Sequence, residues 1–454
     1  MLNFKRCRRS RSAPVGIARD PRRSSTAGHR VSLLSLHYPP EETGNAPYTG
    51  ALAAGLTART HRVTAYVAHP HYPEWKVRPG YGQWRNIETL DGVTVHRLRH
   101  FVPRPPKGVR RLLSELSFGV RLLFSRFGSA SVVIAVSPAL FATALAVLRI
   151  RLTPSRPRLV VWVQDIYTLG LSETKQGGNI AAKVTRFVER YVLRAADRVV
   201  AIHPTFADFL AQNLGVERER IVVIRNWTHL KPSPVIPQGD ARALLGWPTD
   251  VSIAVHTGNM GTKQGLENIV EAARLADEQR AVIKFVLVGD GCERARLEQL
   301  AHGIDRIEFV DPLNDEDYRC ALAAADCLLV NELPGVANMA VPSKLTSYFD
   351  AGRPILAATD PAGIAAGEVE RASAGVVVLA GDPHKLLGMA MQLSEDRHQA
   401  AEYGAAGHRY CREYLSADSA IAAFEQVIED LAATRVHRAP WRTMSLRDIS
   451  AVRP

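Results

Sequence analysis

The chain has 454 residues, more than one hydrophobic core usually serves, so two globular domains are expected. Its five cysteines are scattered without a CxxC pair, which disfavours a disulfide framework or a cysteine zinc site and suits a reducing cytosol. No run approaches the roughly 20 apolar residues that span a bilayer, and the first residues lack the apolar segment of a secretory signal. We therefore expect a protein that is soluble or lies on a membrane surface.

The formal net charge is +12, and much of it lies at the two ends of the chain. Residues 1–30 are rich in arginine, contain a single acid, Asp20, and show no apolar periodicity, so they predict a disordered basic arm. Residues 433–454 predict a basic tail for the same reason. Such segments can contact nucleic acid or anionic lipid, but a solvated tail explains them equally well. No nucleic-acid partner is expected, and neither segment is assigned a function.

Residues 31–229 predict a first α/β domain. Short, nearly continuous apolar runs alternate with helical stretches, which is the pattern of a parallel sheet covered on both faces. The predicted strands lie near residues 31–36, 61–68, 132–137, 159–165, 198–203 and 220–227. The predicted helices include residues 51–58, 181–195 and 205–214.

Residues 230–245 predict an interdomain linker, because the segment LKPSPVIPQGD is polar and rich in proline. Residues 246–414 then repeat the alternation of strands and helices, and residues 415–432 predict a C-terminal helix that packs back on the first domain. The sequence thus predicts an α/β protein with two doubly wound Rossmann-like domains facing each other across a cleft. Ligands of such sheets bind at the carboxyl ends of the strands.

Three loops of the second half carry residues suited to a phosphate. The turn Gly289–Gly291 follows a strand and lets a ligand approach the backbone, although such turns are often purely structural. A second glycine loop carries Lys263, which can balance a diphosphate or simply be exposed. In the third loop, Ser343 and Lys344 begin a short helix. A lysine in a first helical turn is unfavourable without a nearby anion, so Lys344 is the stronger candidate.

The motifs that contain these loops are recognisable together. HTGNMGTKQGLENIVEAA, VGDGCERARLE and VPSKLTSYFDAGRP, in this order, resemble the nucleotide-sugar domain of the GT-B-fold glycosyltransferases of family 4. HYPPEETGNAPYTG, HPHYPEWKV, VWVQD and IRNW in the first half resemble the colanic-acid and capsule branch of that family. The resemblance covers roughly residues 31–431.

The resemblance implies a retaining transferase that uses a nucleotide diphosphate sugar and needs no further cofactor. The implied acceptor is a lipid-linked saccharide of cell-surface polysaccharide biosynthesis, bound by the first domain. The second domain would bind the donor. The implied location is cytoplasmic, peripheral on the inner face of the cytoplasmic membrane.

Site residues follow from the resemblance position by position. It implies catalytic roles for Asp165 and Lys344, because the leaving diphosphate gains negative charge that fixed cations can stabilise. The implied donor contacts are Gly44, Asn259, Lys263, Gly289, Asp290, Gly291, Ser343, Lys344 and Ser347. The acceptor-side residues are Glu41, Glu42, Tyr72 and Trp75. Aromatic faces pack on sugars, so the loop with Tyr72 and Trp75 is a plausible acceptor wall, although an ordered surface loop is nearly as good an interpretation. No metal ligand is expected.

The sequence departs from the family pattern at the donor site. Many members carry two glutamates eight residues apart, where this chain has Met339 and Ser347. The usual cationic pair is represented by Asn259 and Gln264, with Lys263 one residue away. These departures leave open a catalytically weak scaffold that binds a nucleotide sugar within a polysaccharide assembly complex.

A sugar-nucleotide epimerase is a further alternative on the same plan. Its chemistry needs a dense set of acids and bases in the cleft, for which the available candidates are Asp165, Glu41, Glu42 and Glu332.

Residues 107–127 predict an amphipathic basic helix. Its apolar residues recur at three- and four-residue spacing and comprise Val109, Leu112, Leu113, Leu116, Val120, Leu123, Phe124 and Phe127. One interpretation buries this face in the first domain. The other, which the expected lipid-linked acceptor favours, docks the helix on an anionic membrane surface.

Overall fold

The computed structural model describes residues 28–42, 44–105, 108–169, 179–228, 234–336 and 343–433. The predicted basic arm and tail lie outside this range except for residues 28–30 and 433. Within it, an eight-stranded and a six-stranded sheet follow each other along the chain. Among the described residues, none of the helices combines the length and apolar character needed to cross a bilayer.

The first sheet has the strand order β3-β4-β2-β1-β5-β6-β7-β8, and only β3 and β4 pair antiparallel. Its central strands are buried along their whole length, as expected for apolar runs covered on both faces. The strands are β1 Arg30–Ser35, β2 Arg62–Ala68, β3 Arg85–Leu90, β4 Val93–Leu98, β5 Val132–Val136, β6 Arg158–Val163, β7 Arg198–Ala201 and β8 Ile221–Val223. The helices are α1 Ala46–Ala58, α2 Val109–Leu123, α3 Leu140–Leu152, α4 Asn179–Ala195 and α5 Pro204–Leu214.

The second sheet is parallel throughout, with the order β11-β10-β9-β12-β13-β14. Alternate residues of one strand enter two different cores, Ala254 one and Ile253 and Val255 the other, so both faces are covered. The strands are β9 Ser252–Thr257, β10 Ile283–Val288, β11 Ile307–Val310, β12 Cys327–Asn331, β13 Ile355–Thr359 and β14 Gly375–Leu379. The helices are α6 Gln238–Leu245, α7 Glu267–Glu278, α8 Arg294–Leu300, α9 Asp315–Ala324, α10 Lys344–Ala351, α11 Ile364–Ala372, α12 Pro383–Glu395, α13 Arg397–Tyr414 and α14 Ala417–Ala433.

The segment 230–245, predicted as a linker, ends in helix α6. Arg242 is buried there, donates from Nε to the carbonyl of Ala324 and pairs with Asp326 at 2.6 Å. Since both partners belong to the second domain, α6 is part of that domain. The extended linker is correspondingly shorter than predicted.

Within the described residues, helices α14 and α11 both join the second half of the chain to the first domain. Helix α14 packs on the first domain, where the ring of Phe424 lies 4.8 Å from that of Trp162. The carboxylate of Glu368 on α11 reaches His203 at 3.0 Å and Arg225, both of the first domain. Glu368 is buried, which alone would raise its pKa, but His203 and Arg225 lower that pKa to about 2.

Helix α2 buries a face other than most of its apolar stripe, against the interpretation that places this stripe in the core of the first domain. Glu115 accepts from Tyr167 Oη at 2.6 Å and from the amide of Phe141 at 3.2 Å. Gly119 lets α3 approach so closely that a Cβ there would lie 2.8 Å from an α3 backbone carbon. These contacts fix the orientation of α2. Its buried residues are Ser114, Glu115, Phe118, Gly119 and Leu122.

Candidate active site

The predicted site residues lie at the carboxyl ends of strands in both sheets. Asp165 follows β6 of the first sheet, and Lys263 follows β9 of the second. The two edges face each other. Tyr48 of α1 lies beside Thr346 of α10, and Lys263 lies close enough to Asp165 for its charge to lower the pKa of that carboxyl. The cleft predicted between the domains is therefore the place where these side chains meet.

The loop between β1 and α1 brings Gly44 to the cleft surface. Gly44 is exposed and has a φ of +66°, a left-handed conformation that glycine adopts without strain. The next residue, Asn45, donates from Nδ2 to the carbonyl of Ser137 at 2.8 Å, which ties this loop to the end of β5. A ligand can thus approach the backbone at Gly44 and the N-terminus of α1 behind it.

Glu41 does not lie at the cleft rim, where the family resemblance places it beside Glu42. Its carboxylate is buried and accepts the amides of His71 at 2.7 Å and Tyr72 at 2.9 Å, with His37 Nδ1 at 2.8 Å. Burial alone would raise the pKa of Glu41, but His37 and the other partners lower it below its usual range. Glu41 holds two loops together, whereas Glu42 is exposed.

Glu41 thereby positions the predicted acceptor wall. The ring of Tyr72 meets His37 edge-on at 5.0 Å and Trp75 at 6.3 Å. Both aromatic residues are partly exposed. The Arg111 guanidinium of α2 lies 5.9 Å from the centre of the Trp75 ring. Two aromatic rings beside a cation form a surface on which a sugar can pack.

Asp165 is exposed to the cleft, with protein around it on several sides. This partial desolvation raises the pKa of its carboxyl, and Lys263, Arg111 and His37 act in the opposite direction. The Oγ of Ser137 accepts the amide of Asp165 and donates to its carbonyl, both at 3.2 Å. No pattern in the sequence singles out Arg111 or Ser137 as cleft residues.

The close packing of two loops requires glycine at the end of β10. A Cβ on Gly289 would lie 2.1 Å from the carbonyl oxygen of Gly258, and one on Gly291 would lie 2.4 Å from that of Met260. The loops after β9 and β10 therefore pack backbone against backbone. Asp290 is exposed and accepts the amide of Gly291 at 2.7 Å.

Lys344 begins α10 but points inward, not to solvent. Its Nζ lies 3.1 Å from Nε2 of His256, a completely buried residue of β9. Burial is the main cause that lowers the pKa of Lys344 to about 7, while Glu332 acts to raise this pKa and Lys263 acts to lower it. His256 was not predicted as a site residue, and it supports the lysine from beneath.

The remaining donor candidates divide into exposed and buried ones. Asn259, Lys263 and Ser343 are exposed at the cleft edge. Ser347 is completely buried beside the phenol of Tyr318, so it lies in the core of the second domain instead of on the cleft. Met339 lies outside the described residues.

Two family profiles match the chain. The one described as "Glycosyl transferase 4-like domain" matches residues 43–227, and the one described as "Glycosyl transferases group 1" matches residues 252–396. The two matches follow the two sheets.

Curated relatives extend the likeness. The "putative colanic acid biosynthesis glycosyl transferase WcaI" of Escherichia coli is 34% identical over 339 residues, which cover 71% of this chain and 81% of that protein. The "probable glycosyltransferase WbjE" of Pseudomonas aeruginosa is 28% identical over 55% of this chain and 62% of its own length.

Solved structures share the two-domain architecture. Sucrose-phosphate synthase of Thermosynechococcus elongatus superposes with a TM-score of 0.69 at 18% identity, over 89% of this chain and 99% of that one. HepE of Anabaena, solved with UDP-glucose, superposes with a TM-score of 0.66 at 15% identity, over 88% of this chain and 100% of that one. The chain therefore belongs to the GT-B-fold glycosyltransferases of family 4, in the branch of the colanic-acid and capsule enzymes.

Proposed function

We propose that this glycosyltransferase moves a sugar from a nucleotide diphosphate sugar to a lipid-linked saccharide, with retention of configuration, in cell-surface polysaccharide biosynthesis. One observation carries the proposal. Lys263 and Lys344 lie near each other at the strand ends of the second domain, and Lys263 also acts on Asp165 across the cleft. Two cations at a glycine turn opposite a carboxylate suit a diphosphate leaving group beside a reacting sugar.

The names of similar proteins support the same chemistry. WcaI is described as acting in colanic acid biosynthesis, and HepE is described in complex with UDP and with UDP-glucose. In this proposal Lys344 and Lys263 bind the diphosphate, and Asn259, Gly289, Asp290, Gly291 and Ser343 complete the donor side. Gly44 approaches the diphosphate from the first domain.

The acceptor lies against the first domain. Tyr72 and Trp75 pack on its saccharide, and Glu42 lies at the rim. Asp165 stands beside the anomeric carbon, where it orients the acceptor hydroxyl. Hydrogen bonds to neighbours already hold the backbone of Tyr72, Trp75 and Asp165, so the acceptor does not have to order these segments.

A panel of donors tests the proposal. Purified protein is incubated with UDP- and GDP-sugars, including UDP-glucose and GDP-mannose, with and without lipid-linked acceptor. We expect transfer, or slow hydrolysis without acceptor, for one donor class. Interconversion of the donor sugar would instead identify an epimerase. Binding without turnover would identify a scaffold, an outcome favoured by the burial of Ser347 and by the absence of the two glutamates that many members carry at positions 339 and 347.

Asp165→Asn provides a sharper test of the assignment of roles. We expect turnover to fall by at least about a hundredfold while the donor dissociation constant changes less than about threefold, because the carboxylate acts beside the reacting centre. A collapse of donor affinity would make Asp165 a binding or structural residue.

We further propose that the first domain rests on an anionic membrane surface. Three neighbouring helices, α2, α3 and α4, leave large apolar side chains exposed, with Val109 70%, Phe124 81% and Ile180 80% accessible. We call this set the apolar face. Its other members are Leu113, Val120, Leu148, Leu152, Val184 and Phe187.

The charges around the apolar face select anionic lipid. The acidic residues of α2, α3 and α4 are Glu115 and Glu189, and both are buried. The exposed charges on these helices and just beyond α2 are basic and include Arg110, Arg126, Lys183 and Arg186. Each basic residue near an anionic surface contributes about 1 kcal/mol to binding. The face would thus bring the cleft to a lipid-linked acceptor at the inner side of the cytoplasmic membrane.

A further inference from the structure

His37, Glu41 and His71 form a cluster that sugar transfer does not use. One ligand atom from each of the three lies within 4.8 Å of the other two. We infer that this cluster binds one divalent transition-metal ion, with zinc as the preferred metal. The inference concerns the first domain alone and does not depend on the donor or the acceptor.

The fold brings the three residues to one place. His37 and Glu41 lie in the loop after β1, and His71 lies in the loop after β2, which pairs with β1 in parallel. Both loops therefore leave the same edge of the sheet. The carbonyl of His37 accepts from Ser35 Oγ at 2.6 Å and from Thr49 Oγ1 at 3.1 Å, so its backbone is fixed.

The hydrogen bonds of His71 leave one nitrogen available. Its Nδ1 lies 2.8 Å from the carbonyl of His69 and 3.4 Å from Glu41 Oε1, and both neighbours are acceptors. Nδ1 therefore carries the proton, and Nε2 holds a lone pair. That Nε2 is buried and has no hydrogen-bond partner among the described residues. A histidine that donates one ring N–H to a carbonyl while the other nitrogen stays basic has the protonation pattern of a metal ligand. Because Nδ1 is the nitrogen that lies beside Glu41, zinc binding requires the His71 ring to turn its Nε2 towards His37 and Glu41.

Hydrogen bonds also fix the orientation of the Glu41 carboxylate. Its Oε1 accepts the amides of His71 and Tyr72, which leaves Oε2 to His37. His37 Nδ1 and Glu41 Oε2 are 2.8 Å apart. Two ligand atoms of one zinc ion lie about 3.3 Å apart at bond lengths of about 2.0–2.2 Å and tetrahedral angles. The distance between these two atoms therefore has to increase by only about half an ångström to admit the ion. The ion then replaces the proton that the pair shares.

The types of ligand determine which metal the site prefers. Calcium and magnesium prefer oxygen ligands alone, whereas two imidazoles and one carboxylate suit zinc and its first-row neighbours. The bound ion would tie the loop of Gly44 to the loop of Tyr72 and Trp75. It would stabilise the acceptor wall and is separate from the lysines of the second domain.

Zinc titration of the full chain tests the inference. Protein stripped with a chelator is titrated with Zn²⁺ in competition with a chromophoric zinc chelator. We expect one ion bound per chain, with proton release. His37→Ala and His71→Asn should each weaken binding by more than about a hundredfold, the upper end of what the loss of a supporting hydrogen bond costs.

His398→Ala is the matched control. His398 and Glu402 have the same four-residue spacing as His37 and Glu41, but they are exposed and lie 3.9 Å apart. This variant should bind zinc as the wild type does. Equal affinity of His37→Ala and His398→Ala, or no stoichiometric ion in the wild type, overturns the inference.

Cobalt gives an independent readout. Co²⁺ should produce visible absorption in the wild type that His37→Ala abolishes, while circular dichroism shows that the variant is folded. If His71→Asn does not fold, His37→Ala decides alone, because the His37 side chain is less completely buried than that of His71.

Discussion

At the residue scale, Lys344 depends most on its surroundings. The sequence pattern predicts a lysine offered at the amino end of a helix, and a lysine in solvent would stay charged up to high pH. The structure instead places its Nζ against His256, where burial lowers the pKa of the lysine to about 7. Its charge in the absence of donor therefore changes near neutral pH.

We predict that donor affinity falls as pH rises above 7. A bound diphosphate raises the pKa of Lys344, so binding takes up a proton between about pH 7 and the higher pKa of the complex. Below pH 7 the lysine is charged in both states and affinity is constant. Donor dissociation constants measured from pH 6 to pH 9 should show this slope in the wild type and lose it in Lys344→Met. An identical slope in the variant would assign the titration to another group.

His256 should act through Lys344 alone. His256→Phe keeps a ring of similar shape but removes the acceptor of Lys344, so we expect donor affinity to fall by up to about tenfold, the scale of one hydrogen bond. The double variant with Lys344→Met should bind the donor no more weakly than Lys344→Met does. Additive losses in this double-mutant cycle would show that His256 has a separate role.

The sequence locates Lys344 but not the residues around it. A lysine in a first helical turn is a local pattern, whereas His256 lies 88 residues away on another strand. Arg111 reaches the cleft because α2 is rotated, and that rotation depends on contacts of Glu115 with Tyr167 and Phe141. Ser347 occupies a motif position but is buried. The positions of these side chains depend on packing between segments that are distant in the sequence, and such packing cannot be deduced from a single sequence.

At the element scale, α2 shows why an amphipathic pattern does not fix which face is buried. One interpretation of the apolar stripe places it in the core, yet α3 packs against the side that contains Gly119 and Glu115. The small residue permits close approach, and the hydrogen bonds of Glu115 compensate for its burial. Four residues of the apolar stripe thus remain exposed, namely Val109, Leu113, Val120 and Phe124. On the same helix Arg121 lies over the ring of Trp84 at 3.7 Å.

We predict that the apolar face binds anionic vesicles. Leu113→Glu combined with Phe124→Glu should abolish sedimentation with anionic vesicles, because it places two acids where apolar groups meet lipid. Wild-type protein should sediment with anionic but not neutral vesicles, and salt should release it. The assay is repeated on a chain that lacks residues 1–27, which excludes a contribution of the basic arm.

Leu244→Glu serves as the control for this test. Leu244 is equally apolar and exposed, but it lies on α6 of the second domain. Its substitution should leave vesicle binding unchanged. Equal loss in both variants, or binding to neutral vesicles that matches binding to anionic ones, would exclude the apolar face as an anionic-lipid surface.

At the scale of the whole molecule, the two-domain plan follows directly from the sequence. The buried parallel strand β5 is apolar along its whole length and β6 is apolar after its first residue, so the sequence alone locates both. The edge strand β3 is only partly buried at alternate positions and has no apolar run, and it was not predicted. The contacts that join the domains, including those of Glu368, were not predicted either, because they link residues 143 and 165 positions apart.

The contacts of Glu368 between the two domains should stabilise the protein less as pH falls. Its pKa in the folded protein is about 2, against 4.5 for an unperturbed glutamate. A group whose folded pKa is depressed stabilises the protein above its unfolded pKa, and this stabilisation is lost as pH falls from about 4.5 towards 2. The shift corresponds to about 3 kcal/mol at neutral pH. Because Glu368 is buried, solvent screens this contribution little.

We predict that Glu368→Gln lowers the free energy of unfolding by about 2–3 kcal/mol at pH 7, because Arg225 and His203 lose their charged partner. The difference from wild type should shrink as pH falls below about 4.5, because Glu368 takes up a proton in the unfolded chain there but stays ionised in the folded protein down to about pH 2. Urea denaturation from pH 7 to pH 3.5 measures both values. Glu370→Gln is the matched control, because Glu370 lies exposed on the same helix and its substitution should change the free energy little at any pH. A difference between Glu368→Gln and wild type that stays constant down to pH 3.5 would mean that the carboxylate acts by packing and not by charge.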